Sequence, residues 1–360
     1  MAAKPWSCGA TCLEEPQGLY IPVPEGFGSQ SKLHLPSPPH PACPCSNTDI
    51  GQGMHPSKLL LIMVAAGTAA VHGDPAATTP AARFWEQALP GTLMPEAIAD
   101  LVQKGIDHSP LVEHYPAFPD LSVCGAWSNT CTRSMALGTG IFFHKAQLHQ
   151  GSAMEISFPA AAETAILPHS VAADEKKAPF ANLTEVLATF AIAPGSAEAE
   201  HVRDTLKWCQ APPQLAGELM TCATSLESTV ASATRMLGGG GGVWAAASAL
   251  PSGGGLPRGR YVVEAVAPLD GDHFVACHKV PFPYAVYQCH MTTRMTDRAY
   301  VVSLRSGALT AHMVAFCHLD TSNWNQSHPA FEILHTKLGM PVCHFVPYGN
   351  PVFGKKVTKA

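Results

Sequence analysis

The chain has 360 residues, 46% of them apolar and 14% charged, and a formal net charge of −5 with a sequence pI of about 6.4. This is enough length and apolar material for one or two folded domains with a real core. An acidic balance without a concentrated basic stripe argues against nucleic acid as a ligand and gives no support for binding an acidic polysaccharide.

Residues 1–53 are rich in Pro, Gly and Ser. From Met54, a basic start ending in Lys58 leads into an apolar run from Leu59 to Ala70 and then small residues. That is the pattern of a secretory signal peptide, with cleavage near Gly73-Asp74. The run of about 12 residues falls short of the roughly 20 that a spanning helix needs, so no stable membrane anchor is expected; the competing reading is a short membrane-anchored tail. Because a signal belongs at an N-terminus, Met54 is read as the true start, residues 54–73 as the signal and residues 1–53 as an upstream extension without a fold.

Residues 74–104 form a small amphipathic module. Pro95 suits a first helical turn and Ile98, Leu101 and Val102 share a face, which predicts a short helix docked on the main domain. Residues 105–139 break into Pro, His, Ser and Asn and read as a linker. Strands are predicted over 141–148 and 155–158. Asn182 is placed to cap a helix over 183–192, with Glu185 in the capping-box position, and a second helix covers 198–208. Apolar residues at Leu219, Cys222, Leu226, Val230, Met236 and Leu237 recur with a period near 3.6 and predict a helix over 218–237. The glycine-rich stretch 238–255 lacks the ending of a phosphate-binding loop and reads as a flexible connector. Beyond Tyr261 the chain reads as about seven short strands, so the class is α+β with a mainly β C-terminal part.

Four Cys-His dipeptides stand in this last part: Cys277-His278, Cys289-His290, Cys317-His318 and Cys343-His344, separated by 10, 26 and 24 residues. Each falls in or at the end of a short β-branched or aromatic run. On a strand, neighbouring side chains point to opposite faces, so each dipeptide offers sulfur on one face and imidazole on the other. Setting aside the extension removes Cys8, Cys12, Cys43 and Cys45. The remaining Cys124, Cys131, Cys209, Cys222, Cys277, Cys289, Cys317 and Cys343 are even in number, which in a secreted chain favours disulfides. Eight cysteines allow 105 connectivities; local pairing of Cys209 with Cys222 is one plausible bridge. On the secretory route Asn182-Leu183-Thr184 and Asn325-Gln326-Ser327 are N-glycosylation acceptors.

The dipeptide spacing resembles the plant BURP domain, whose signature is four such pairs with a first gap of ten. Supporting stretches are similar too: Pro283-Tyr284-Ala285-Val286-Tyr287, Asp320-Thr321-Ser322-Asn323-Trp324-Asn325 and Pro347-Tyr348-Gly349. Upstream, Phe142-Phe143 with Leu148 and Met154 matches the double-Phe start, and Cys222-Ala223-Thr224-Ser225-Leu226-Glu227-Ser228 the second-cysteine segment. The 74–104 module resembles the N-terminal box of the anther and dehydration-responsive branch. The resemblance implies a disulfide-stabilised α+β domain over 140–356, helical in its first part and mainly antiparallel β in its second.

Three chemistries compete for the array. In one, disulfides are the whole story and the imidazoles merely fill polar positions. In another, cysteines and histidines share a zinc ion, although adjacent residues on a strand cannot easily chelate one ion and secretion oxidises sulfur. In the third, His278, His290, His318 and His344 ligate a metal once disulfides have fixed their strands, and neutral imidazole suits Cu(II). The resemblance bears on this choice because some BURP proteins are copper-dependent peptide cyclases that cross-link a Tyr or Trp side chain of a core peptide. Such precursors carry short, often repeated cores, and residues 74–138 hold none, with Tyr115 and Trp127 standing singly. The expectation is therefore a secreted, non-catalytic cell-wall protein of development, with anther or pollen as the candidate tissue, or of stress response. Its partners would be wall polysaccharide or wall protein; a copper-dependent cyclase acting on a peptide substrate is the alternative.

Overall fold

The structure, a computed structural model, describes residues 79–107, 124, 131–160, 164–167, 182–213, 217–251, 255–293 and 296–356. The proposed extension and signal lie outside these residues, as do most of 105–139 and the start of the N-terminal module.

Helix α1 (Pro80–Ala88) begins with Pro at its first position and with Thr79 accepting from the Ala82 N–H, the two devices that satisfy an N-terminus. Helix α2 (Glu96–Asp107) follows. Gly105 on α2 lies so close to the 164–167 segment that a Cβ there would collide with the Ile166 carbonyl, and the Ile166 N–H donates to Leu101 O at 2.9 Å. Within 105–139 the chain forms a short helix, α3 (Arg133–Ala136), beside a Cys124–Cys131 disulfide. Strand β1 is only Phe142–Phe143, because His144 and Gln147 turn the backbone into a 3₁₀ turn at Lys145–Gln147, whose box closes with His144 N–H donating to Gln147 Oε1. Strand β2 is Ala153–Phe158.

Asn182 does cap helix α4 (Leu183–Thr189), accepting from Glu185 N–H at 3.1 Å. The helix stops earlier than predicted since Ala191 adopts φ +50° and Ile192 N–H closes onto Leu187 O. Helix α5 is Ala197–Gln210. The helix predicted over 218–237 is corrected: its first third is strand β3 (Glu218–Ala223), and only Leu226–Met236 is helical, as α6. Pairing of β3 with a neighbouring strand and the Cys209–Cys222 bridge hold the first part extended, while Ser225 and Ser228 form a capping box that restarts the chain as helix. The glycine-rich connector is also corrected. It contains strand β4 (Val243–Ala246), whose Trp244 ring occupies the space above Gly354 that any Cβ would need.

Seven strands complete the chain: β5 (Leu256–Pro268), β6 (Phe274–Val280), β7 (Val286–Thr292), β8 (Asp297–Ser306), β9 (Leu309–His318), β10 (Val342–Phe345) and β11 (Val352–Lys355), with helix α7 (Pro329–Ile333) before β10. They form two antiparallel sheets. One has six strands in the order β1-β10-β9-β8-β5-β2, the other five in the order β3-β7-β6-β11-β4. The α+β class holds.

The sheets face each other through Phe274, Ala276 and Val352 on one side and Ala299, Val314 and Phe316 on the other, with Phe274 meeting Phe316 edge-on at 6.1 Å. The outer face of the five-stranded sheet is covered by α1, α2 and α6 through Trp85, Leu89, Ile98, Leu101 and Val230. The outer face of the six-stranded sheet buries Phe143, Phe345 and Met313, and α7 contributes Phe331. The N-terminal module is thus part of the core that the β-sheets need, as burial of that much aromatic and aliphatic surface requires.

Candidate functional site

Strand register explains how the dipeptides converge. In the five-stranded sheet Cys277 lies directly opposite Cys289, and in the six-stranded sheet Cys317 lies directly opposite Cys343. Both pairs are disulfide-bonded, each with Cα atoms 4.0 Å apart. The other two bridges are Cys124–Cys131 and Cys209–Cys222, so all eight cysteines beyond residue 53 are oxidised. Cys277 and Cys289 belong to the outer core under the helices, Cys317 and Cys343 to the outer core of the other sheet.

Alternation then turns every histidine inward. His278 is opposite Gln288 and His290 opposite Ala276, so the two imidazoles sit diagonally on the inner face. His318 opposite Val342 and His344 opposite Phe316 repeat the arrangement on the facing sheet. The rings meet between the sheets: His278 is 5.3 Å from His290 and 5.9 Å from His344, and His344 stacks on His318 at 5.6 Å between ring centres. All four are buried, none more than 4% exposed.

Two of the four rings are hydrogen-bonded at Nδ1, and a third has a carboxylate beside it. Asp297, opposite His318 in register, places Oδ1 3.0 Å from His318 Nδ1 and takes a second hydrogen bond at Oδ2 from Thr292. His344 Nδ1 lies 3.1 Å from the Phe345 carbonyl. Glu218 on β3 brings Oε1 to 3.2 Å from His290 Nδ1, within ion-pair distance though without hydrogen-bond alignment. Carboxylates and carbonyls can only accept, so the two hydrogen bonds place a proton on Nδ1 of His318 and of His344. Histidines that ligate metals are held in this way, by a carboxylate or carbonyl behind the ring.

His278 differs. It is fully buried and neither ring nitrogen has a hydrogen-bond partner, a costly state for a polar group. Burial, followed by the neighbouring His290, His344 and His318, holds its pKa well below the ordinary histidine range, so it is neutral. Burial likewise takes His344 down to about 3, with His318 adding to the effect. Asp297 stays below the usual carboxylate range: burial pushes it up, but His318, Thr292 and His290 together outweigh that. Buried imidazoles, two of them with the Glu218 and Asp297 carboxylates behind the ring, make a donor set that suits a cation.

The donor set fits a nitrogen-seeking ion, and His278 offers a buried lone pair that nothing else satisfies. Among the described residues, no three His, Cys, Asp or Glu side chains already form a finished ligand group, so binding requires the rings to turn toward a common point. Glu218 and Asp297 were not identifiable from sequence as partners of the cluster. A fifth histidine, His328, was also missed. It caps α7 by accepting from Ala330 N–H and lies 4.7 Å from the Trp324 ring, which in turn packs edge-on against His318 at 4.9 Å. The acceptor asparagines Asn182 and Asn325 are far from the rings in role: both are exposed, in a helix cap and a turn.

The BURP domain family model matches residues 141–355. BURP domain-containing protein 13 of Oryza sativa subsp. japonica is 42% identical over 245 residues, 65% of this chain and 58% of that protein. Protein RAFTIN 1B of Triticum aestivum is 39% identical over 248 residues, 67% of each chain, and BURP domain protein RD22 of Arabidopsis thaliana is 34% identical over 221 residues, 59% of this chain and 55% of that protein. The matched part is therefore little more than half the length of some of these relatives. With the fold, the paired cysteines and the match over most of the described residues in agreement, this chain belongs to the BURP-domain family.

Proposed function

We propose that this is a secreted plant BURP-domain protein with a non-catalytic role outside the cell, at the wall, in development or stress response. Similarity to the RAFTIN and RD22 proteins supports a developmental or stress-linked role. Extracellular residence is supported by the oxidation of every cysteine from Cys124 onward, since cytosolic thiols are kept reduced. No helix among the described residues is long and apolar enough to cross a membrane. The observation that carries the non-catalytic reading is burial: with the four rings at most 4% exposed, a peptide reaches them only if a covering segment moves. Wall polysaccharide or a wall protein is the partner class.

The cluster itself favours a second reading, a copper-dependent peptide cyclase. His278, His290, His318 and His344 would hold Cu(II), which prefers imidazole nitrogen, and copper supplies oxidative chemistry that no side chain provides alone. In either reading this chain's own residues do the same work: the disulfides fix the strands, Asp297 and the Phe345 carbonyl fix ring orientation, and the sheets exclude water.

One experiment separates the two. Purified secreted protein and its His290→Ala/His344→Ala variant are compared for wall-fraction binding and, with candidate peptides, for loss of two hydrogens by mass spectrometry. The proposal expects wall binding that survives the substitutions and no two-hydrogen loss. Copper-dependent loss of two hydrogens that disappears in the variant would establish the cyclase instead.

A further inference from the structure

We propose that Asn325 carries an N-linked oligosaccharide, on the loop that closes the histidine cluster from the side of the six-stranded sheet. The inference rests on the extracellular reading, because the sugar is added only on the secretory route.

The loop between β9 and α7 has an inward and an outward side. Thr321 is buried and donates to Met340 O at 2.8 Å, and Trp324 is buried against His318 and His328. These two residues pin the loop down. Ser322, Asn323, Asn325, Gln326 and Ser327 are exposed. Within this outward side, Asn325 and Ser327 of the Asn-Gln-Ser acceptor triplet share one turn: Asn325 Oδ1 accepts from Ser327 N–H at 2.9 Å, and Asn325 O accepts from His328 N–H at 2.9 Å. Asn325 is exposed, and the turn uses its Oδ1 rather than Nδ2, the atom that bonds the sugar.

In the transfer, Nδ2 attacks the first sugar carbon of a lipid-linked oligosaccharide pyrophosphate. The N–C bond forms, the bond from that carbon to the phosphate oxygen breaks, the lipid pyrophosphate leaves and one amide proton is released. Nδ2 retains one hydrogen, and Oδ1 keeps its bond to Ser327, so the folded loop accepts the product without losing a contact. The neighbouring triplet at Asn182 makes a comparison. Asn182 is exposed as well, but its Thr184 lies inside helix α4 and its Oδ1 caps that helix. A branched sugar at Asn325 stands one residue from the Trp324 ring, which shields His318. It would deny large partners an approach to the cluster over this loop.

The test uses the full chain expressed in plant cells. Secreted protein is treated with a peptide N-glycosidase in heavy-oxygen water, and the peptides containing Asn325 and Asn182 are read by mass spectrometry. The expected result is a labelled aspartate at position 325, and loss of one glycan mass in both Asn325→Gln and Ser327→Ala. A secreted, disulfide-bonded chain with Asn325 unmodified, or modified only at Asn182, overturns the assignment and leaves the extracellular reading standing. A chain retained inside the cell with reduced cysteines overturns both. The wild-type measurement stands by itself if either variant folds poorly.

Discussion

The β6–β7 and β9–β10 pairs are built alike and finished differently. Each has a disulfide between directly opposed cysteines on its outer face and two diagonal histidines on its inner face. In the β9–β10 pair both rings have a partner at Nδ1, from Asp297 and from the Phe345 carbonyl. In the β6–β7 pair His290 has Glu218 nearby, whereas His278 is buried with both nitrogens unsatisfied. The lesson is that the strand pattern positions four rings equally but leaves one of them energetically incomplete. That ring is where a bound ion would return the most.

The largest expected effect is acid sensitivity, and both pairs contribute to it, through His278 in one and His344 in the other. His344 is held down to about 3 by burial and then His318, and the adjacent His328 to about 4 by the same two causes in the same order. Above the unfolded-state value of about 6.5 both states are neutral and stability is full. As pH falls below that value, the unfolded chain takes up protons that the folded chain refuses, so stability declines until about pH 4 for His328 and about pH 3 for His344. Metal-free protein should therefore show a melting temperature that drops steadily below about pH 6.5, and His344→Leu should flatten the decline. A flat melting curve down to pH 4 in the wild type would contradict burial of these rings as neutral groups.

Deleting a bridge tests whether the two halves are braced alike. The Cys317–Cys343 bridge spans 26 residues and the Cys277–Cys289 bridge 12. Loop-closure entropy then puts the loss on changing both cysteines to serine at about 3 kcal/mol for the shorter loop and roughly half a kcal/mol more for the longer. Chemical denaturation of the two double variants measures it; equal or reversed losses would show that packing, rather than chain entropy, dominates.

Replacing single histidines by leucine should have unequal effects. His278→Leu removes an unsatisfied buried polar group and should stabilise metal-free protein by about 1 kcal/mol. The same change at His344 removes a made hydrogen bond to Phe345 and should bring no such gain. If His278→Leu destabilises, the ring has a partner in solution and the comparison collapses. A change outside the sheets should have a similar size. Ala191, in the left-handed region at φ +50°, should gain roughly 1 kcal/mol on substitution by glycine, which adopts that conformation without steric cost. Thermal denaturation checks it.

Much of the site was legible in the sequence because adjacency on a strand fixes faces: a Cys-His dipeptide must send sulfur and imidazole to opposite sides. The register that opposes Cys277 to Cys289 was not legible, since pairing depends on the whole sheet. Nor were the partners of the rings. Glu218 lies 72 positions from His290 and sat in a window whose 3.6 period continued across the break before Ser225, hiding a strand inside a predicted helix. Asp297 opens a strand, and nothing beside it in the chain points to a histidine. Val243–Ala246 was lost among glycines because four residues carry too little pattern to stand out. By contrast the cap at Asn182 and the α2 face of Ile98 and Leu101 were readable, being set by neighbours in the chain.

As proposed, the four inward imidazoles would hold one Cu(II) ion, with the unpartnered His278 as the member whose loss weakens binding most. Copper content and the Cu(II) paramagnetic resonance spectrum of disulfide-intact secreted protein, wild type beside His278→Leu, test it most directly. The account predicts stoichiometric copper with nitrogen hyperfine structure in the wild type and at least tenfold weaker binding in the variant. Absence of copper binding, or a spectrum and affinity unchanged by His278→Leu, would contradict it.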